Sequence, residues 1–186
     1  MTSIQSILTR IEETKEGKDR ILVAIDGRCA SGKTTLAGEL SAVLHCPLIH
    51  ADDFFLRPEQ RTPERLAEPG GNMDRERFME EVLLPLKAGQ SFSYRPFRCS
   101  TMSLGEPVPV SPAPVTVIEG SYCCHPDLWD AYDLRLFLTV EPEEQLRRLL
   151  AREGEGKLAV FKSKWIPMEE AYFSYLYEMK RFIWQK

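Results

Sequence analysis

Hydrophobic positions along this chain alternate between two periods. Ile4, Ile7, Leu8 and Ile11 recur at helical spacing, which predicts an amphipathic helix over residues 3–16, broken by Gly17–Arg20. Ile21–Ile25 is a continuous apolar run of strand length, and Leu36, Leu40, Val43 and Leu44 return to one helical face. Cys46–His50 reads as a short second strand. Residues 57–72 hold Pro58, Pro63, Pro69, Gly70 and Gly71, too many breakers for regular structure. Asn72 or Asp74 can cap a helix over about 75–88, with Met79, Val82, Leu83 and Leu86 inward, and Pro85 is expected to end or kink it.

Ser91–Phe97 and Glu106–Val110 flank a Ser/Thr/Gly-rich turn and carry prolines suited to edge strands, the pattern of a small antiparallel hairpin. Val115–Glu119 and Leu134–Val140 are two further strands, the second interrupted by Arg135. Pro142 fits a first helical position, with Glu143 and Glu144 in the first turn, and this helix dissolves at Glu153–Gly156. A last helix begins near Pro167. Met168, Ala171, Tyr172, Tyr175, Leu176, Met179, Phe182 and Ile183 form its stripe, which reads as core. The alternation predicts an α/β fold with a mostly parallel sheet flanked by helices and a small antiparallel hairpin.

Composition narrows the classes without choosing among them. At 186 residues the chain is expected to be one domain, 1–186. The formal charge of −4 argues against nucleic acid as the main partner. No apolar run approaches the roughly 18 residues of a membrane span, and the acidic N-terminal stretch does not suit a signal peptide. Five cysteines without C-x-x-C spacing, two of them adjacent, suit reduced thiols and a cytoplasmic location. Three histidines without an H-x-x-x-H pattern make a zinc site unexpected.

Candidate chemistry changes the picture at Gly27-Arg28-Cys29-Ala30-Ser31-Gly32-Lys33-Thr34, which fits G-x-x-x-x-G-K-[ST] between a strand and a helix. A loop around a phosphate must point backbone N–H groups inward, and the following helix adds unpaired N–H groups and a positive dipole end. Lys33 is expected to reach the terminal phosphates, the Thr34 hydroxyl to ligate Mg²⁺, and Thr35 to extend the nucleotide-binding set. Asp52 and Asp53 follow the second strand, where ligands bind in open α/β sheets, although such acids also serve as caps. Residues 57–72 could be a substrate-side loop or a plain connector. Tyr94 and Arg95 are candidates to face substrate or ordinary hairpin residues. Glu119 ends an apolar strand and is a candidate for metal or water coordination. Arg147, Arg148 and Arg152 suit a phosphate lid beside Gly154 and Gly156, or salt bridges of the type Glu143–Arg147 and Glu144–Arg148.

With these residues assembled, the chain resembles the uridine kinase-like branch of small phosphate-loop (P-loop) kinases, with nicotinamide riboside kinase the other likeness. The motifs that carry it are Gly27–Thr35, Ala51-Asp-Asp-Phe-Phe55, Val115–Glu119 and the arginine helix 147–152. The resemblance implies a three-layer P-loop NTPase-type fold. It puts the catalytic aspartate at Asp52 and the acid of the metal-side strand at Glu119. It puts a tyrosine near the nucleoside at Tyr94 and, more loosely, an aspartate on the ribose hydroxyls at Asp74. It also divides the domain into 20–55 (phosphate loop and catalytic acid), 56–112 (acceptor side), 142–166 (lid) and 167–184 (C-terminal helix). Three departures stand out: the family's final core strand is expected to be missing, the lid segment 154–164 is short, and no base-recognition residues match.

The reaction expected is Mg²⁺-dependent transfer of the γ-phosphoryl group of ATP to a hydroxyl of a small molecule, first a nucleoside or ribosyl compound. Asp52 would accept the hydroxyl proton, with Asp53 orienting it or binding substrate. Lys33, Arg148 and Arg152, with Arg147, would neutralise phosphate charge, and Thr34 and Glu119 would hold Mg²⁺. Other small alcohols such as pantothenate, sugars and phosphorylated pentoses stay open. A nucleotide switch without acceptor is disfavoured by the lack of an Asn-Lys-x-Asp motif, and a binding protein without turnover is the third class.

Overall fold

A computed structural model describes residues 3–179 and the backbone of 184–185. The elements follow the predicted order except within residues 57–72, expected to hold no regular structure, where Pro63 opens a short helix capped by the Thr62 hydroxyl. They are α1 (Ile4–Lys15), β1 (Ile21–Gly27), α2 (Lys33–Leu44), β2 (Leu48–His50), α3 (Pro63–Ala67), α4 (Arg75–Phe78) and α5 (Leu84–Ala88). Then come β3 (Phe92–Tyr94), β4 (Phe97–Arg98), β5 (Ser103–Leu104), β6 (Val108–Val110), β7 (Val115–Glu119) and β8 (Leu134–Leu138). The chain closes with α6 (Pro142–Glu153), α7 (Glu155–Val160), α8 (Ile166–Glu178) and β9 (Trp184–Gln185).

The main sheet has the order β2-β7-β1-β8-β9, and every pairing in it is parallel. Parallel strands need crossover connections, which place helices on both faces and bury the strands on both sides. Side-chain alternation along β1 divides the core accordingly. Ile21, Val23 and Ile25 pack with Ile7, Ile11, Leu36 and Leu40 of α1 and α2. Leu22 and Ala24 face the opposite layer, with Phe54, Phe78, Val82, Leu86, Tyr172 and Leu176. No helix among the described residues is long and apolar enough to cross a membrane.

Four further expectations are corrected. The sheet is not one strand short: Trp184 and Gln185 pair with Leu136 and Phe137, so a two-residue β9 stands at the position expected to be missing. Of the two outcomes expected at Pro85, an end or a kink, the first fails: the helical run continues through Pro85 to Ala88. A π-helical turn, Met79–Leu83, lies between α4 and α5, and Pro85 falls in the opening turn of α5, where its missing N–H is tolerated. The lid segment is helical rather than an open Gly-x-Gly loop: α7 and a π-helical turn, Phe161–Trp165, lead directly into α8. The C-terminal stripe is core only at Tyr172 and Leu176, since Ala171 and Met179 are exposed; Phe182 and Ile183 lie outside the described residues. The hairpin forms as expected, in two steps, β3 against β6 and β4 against β5. Arg135 is accommodated in β8 because its guanidinium donates to the Trp129 and Tyr132 carbonyls and lies over the Trp129 ring.

Candidate active site

The carboxyl ends of β1, β7 and β2 meet in register, with Ile25 and His50 both opposite Glu119, and the candidate residues collect above that edge. There, β1 turns into the phosphate loop. Gly27 has φ +135°, and a Cβ on it would lie 2.0 Å from the Leu138 carbonyl oxygen, so only glycine lets the loop leave the sheet here. Asp26, fully buried, anchors the same turn. Its Oδ1 accepts from the Gly27 N–H at 2.7 Å, and its Oδ2 accepts from the Cys124 N–H at 2.9 Å and the Tyr172 hydroxyl at 2.8 Å. Burial raises its pKa, and those donors oppose the rise.

Lys33, at the start of α2, is buried and donates from Nζ to the Gly27 and Arg28 carbonyls at 2.8 and 3.1 Å. The loop is buttressed by α6 and α8. Gln145 of α6 donates to the Cys29 carbonyl at 3.0 Å, and Arg148 donates to the Ala30 carbonyl at 3.0 Å. Glu169 of α8 accepts the Cys29 N–H at 2.9 Å and the Ser121 hydroxyl at 3.2 Å. Burial raises the Glu169 pKa and pushes the Cys29 thiol up to about 12, which makes that thiol inert.

Across the edge stand the acids. Glu119 is buried and accepts from the Thr34 hydroxyl at 3.2 Å, while its other oxygen lies 2.6 Å from His50 Nδ1. That contact raises the His50 pKa. Asp52 sits in a short 3₁₀ turn, Ala51–Phe54, directly after β2. Its Oδ1 accepts the Ser121 N–H at 2.9 Å. Gly120, at φ +145°, makes that approach possible, since a Cβ there would meet Asp52 Oδ1 at 2.8 Å. The Asp52 side chain is exposed to the cavity, while the protein atoms packed around that cavity still desolvate it. This desolvation pushes its pKa up to about 6, with Lys33 and the Ser121 N–H pulling it back.

One cavity of about 610 Å³ joins these groups. Cys29, Ala30, Gly32, Lys33, Thr34 and Thr35 line its loop side, with Glu119, Ser121 and Asp52 at the sheet edge. Arg148, Arg152, Phe161 and Trp165 line it from the lid. The remaining wall carries Phe55, Arg61, Asn72, Cys99, Met102 and Tyr122.

Several expected residues lie elsewhere. Arg147 is exposed, lines no part of the cavity and pairs with Glu144, which Arg148 also engages; together the two arginines hold the Glu144 carboxyl down to about 2. The salt-bridge alternative is therefore present at Glu144, though not at Glu143. The Arg28 side chain turns outward to Glu170 at 2.7 and 2.8 Å, leaving its backbone to the loop. Asp53 accepts from the Tyr94 hydroxyl at 3.2 Å and faces Arg98 at 3.5 Å, which ties the hairpin to the Asp52 turn rather than orienting Asp52. Burial raises the pKa of both Asp53 and Tyr94. Arg95 donates to the Gly105 and Leu104 carbonyls within the hairpin. Asp74 is buried as the cap of α4, accepting the Arg77 N–H at 3.2 Å and the Gln60 amide at 2.9 Å, away from the cavity wall. Its short side chain is consumed by capping, as its place before Arg75–Phe78 allows.

Sequence reading missed Asp26, His50, Ser121 and Glu169, and reached Arg61 and Asn72 only as members of the 57–72 segment, with Asn72 a candidate helix cap. Asp26 was detectable as a charge closing the apolar run at Ile21–Ile25; His50, Ser121 and Glu169 carry no local signal.

The loop fits a polyphosphate on its own geometry. Gly32, Lys33, Thr34 and Thr35, at the start of α2, line the cavity, and the Ser31 hydroxyl in the same loop is buried with no hydrogen-bond partner. Thr34 and Glu119, an alcohol and a buried carboxylate in contact, are an oxygen set suited to Mg²⁺.

No protein-family model matches the chain, and no curated protein matches it closely enough to count as a relative. Solved structures do. One is a possible uridine kinase from Bacillus stearothermophilus, with TM-score 0.69 and 19% identity, covering 96% of this chain and 98% of that one. The fold is that of the uridine kinase-like P-loop kinases. A D-glycerate 3-kinase from Cryptococcus neoformans var. grubii shares it at TM-score 0.65 and 14% identity, covering 90% and 87% of the two chains.

Proposed function

We propose that this uridine kinase-like chain is an ATP- and Mg²⁺-dependent kinase of a small alcohol. The observation that carries the reading is the shared cavity: Lys33 and the loop amides on one side, Glu119 and Thr34 at the sheet edge, and the carboxylate of Asp52 facing the same space. A protein that only bound nucleotide would have no use for a second carboxylate held open to the cavity by a Ser121 N–H and a glycine at 120.

In this reading the loop amides, the Ser31 hydroxyl and Lys33 bind and orient the phosphates of ATP, and Arg148 and Arg152 cover them from the lid. Thr34 and Glu119 hold Mg²⁺, which supplies charge neutralisation on the phosphoryl oxygens. Asp52 takes the proton of the acceptor hydroxyl as that oxygen bonds to the γ-phosphorus and the bond to the bridging oxygen of ADP breaks. Catalysis is positioning plus electrostatics, so the rigid supports matter: Glu169 and Gln145 hold the loop at Cys29, and Ser121 holds Asp52.

A nucleoside or ribosyl acceptor is the first class to test, on the strength of the Asp52–Phe55 segment. The two residues that would have marked a nucleoside, Tyr94 and Asp74, are engaged elsewhere. The test is ADP release measured with and without an added alcohol, in the presence and absence of Mg²⁺, with Asp52→Asn as control. Release that needs both alcohol and Mg²⁺, and that fails in Asp52→Asn, supports the reading. Acceptor-independent hydrolysis at the same rate refutes it.

A further inference from the structure

The cavity wall opposite the phosphate loop holds two polar side chains that the proposed donor chemistry does not use. Asn72 lies on the segment that pairs with the Asp52 turn: the Leu56 N–H donates to the Asn72 carbonyl at 3.0 Å, and Phe55 bridges to Met73. Its side chain is 6% exposed and lines the cavity, and among the described residues its amide has no hydrogen-bond partner. Its amide is not among the buried, unsatisfied side-chain groups, so its hydrogen-bonding sites stay available at the cavity wall it lines.

Arg61 stands on the same wall. Its Nε donates to the Leu56 carbonyl at 2.9 Å, and its guanidinium lies 5.8 Å from the Phe97 ring centroid. Those two contacts hold the side chain, Arg61 lines the cavity, and among the described residues its Nη groups make no hydrogen bond and no carboxylate pairs with it. Every other arginine that lines this cavity, Arg148 and Arg152, is paired with a glutamate on the lid. Arg61 is thus a half-buried charge with no carboxylate partner, on the lining of the same cavity as the Asn72 amide. Phe55, Met102 and Tyr122 supply apolar surface around the pair.

We infer that Arg61 and Asn72 form an anion subsite, so that the acceptor is an alcohol carrying an anionic oxygen group, a carboxylate or a phosphate, rather than a neutral nucleoside. The guanidinium fork matches two oxygens of such a group, and the Asn72 amide donates to a further one. The acceptor hydroxyl then points to Asp52. Donor phosphates have their own cations in Lys33, Arg148 and Arg152, so the charge of Arg61 is not needed there. This assignment rests on the kinase reading for the role of the hydroxyl but not for the binding of the anion.

The test keeps one carbon skeleton and varies charge. Binding of ribonate, ribose 5-phosphate, ribose and uridine is measured by calorimetry with ADP and Mg²⁺ present, and turnover of each by ADP release with ATP. The subsite predicts that ribonate or ribose 5-phosphate binds at least about tenfold more tightly than ribose, as charge-assisted hydrogen bonds imply. Which of the two wins names the anion. Arg61→Gln erases that preference. Equal binding across the four, or uridine tighter than both anions, overturns the inference, as does an Arg61→Gln variant that weakens ATP alone. Anion preference without ADP release from any probe leaves the subsite standing and counts against the kinase reading, so the two failures are distinguishable.

Discussion

The two ends of the cavity are built by different means. The donor end is a contiguous segment, Gly27–Thr35, whose strand, loop and helix are each dictated by neighbouring residues and braced by α6 and α8. The acceptor end is assembled from Phe55, Arg61, Asn72, Cys99, Met102 and Tyr122, drawn from four separate loops. In the proposed reaction the first would bind a group common to all nucleotides, for which backbone amides suffice. The second would have to discriminate among alcohols, which only side chains brought from distant positions can do. Chemistry is thus encoded locally, and specificity by the tertiary fold.

The largest expected effect is at the donor end. Lys33→Ala should lower turnover by about 10³–10⁵, as loss of a phosphate-neutralising charge does in phosphoryl transfer. It should also raise the Kd for ATP; unchanged nucleotide affinity in a calorimetric titration would refute the phosphate-loop assignment. Next comes the junction of the two ends. Asp52→Asn should cut kcat by about 10²–10⁴ while ATP still binds. In the wild type the base must be ionised, and its pKa is raised to about 6. The kcat profile should therefore fall tenfold per unit as pH drops below that value, and a flat profile down to pH 5 would remove Asp52 as the base.

Smaller effects separate the supports from the bystanders. Glu169→Ala leaves the Cys29 N–H without its carboxylate and should raise the KM for ATP about tenfold, with Glu169→Gln recovering part of it. A change confined to acceptor KM would place Glu169 at the other end of the cavity. Arg147→Ala should alter turnover less than about twofold, because its exposed pair with Glu144 contributes little. A loss as large as that of Arg148→Ala would restore Arg147 to the phosphate lid.

Legibility in the sequence followed range. The helix at 4–15, the strand at 21, the phosphate loop, the Asp52 turn and the Glu119 strand were readable because period and motif are local. Pro85 misled because helix termination depends on the turn before it, and a π-helical turn absorbed the defect. Asp74 carried two readings, a helix cap and a ligand of ribose hydroxyls, and the structure shows the cap. A cap and a diol ligand look identical as letters, and the Gln60 amide together with the Arg77 N–H decided between them. Glu169 was invisible because its partner, Cys29, is 140 residues away.

What the sequence determined by itself is the phosphate-binding strand–loop–helix and the order of strands and helices around it, since backbone amides, glycine freedom and apolar period act over a few residues. What only the tertiary structure decided is which side chains share the cavity. Asp52, Glu119 and Lys33 face one another there, with Arg61 and Asn72 open on the far wall. Asp53, Asp74, Tyr94, Arg95 and Arg147 are spent on hydrogen bonds outside it. The physical reason is that a polar side chain acts on a ligand only when no nearer partner satisfies it, and that partner is chosen by the packing of distant segments.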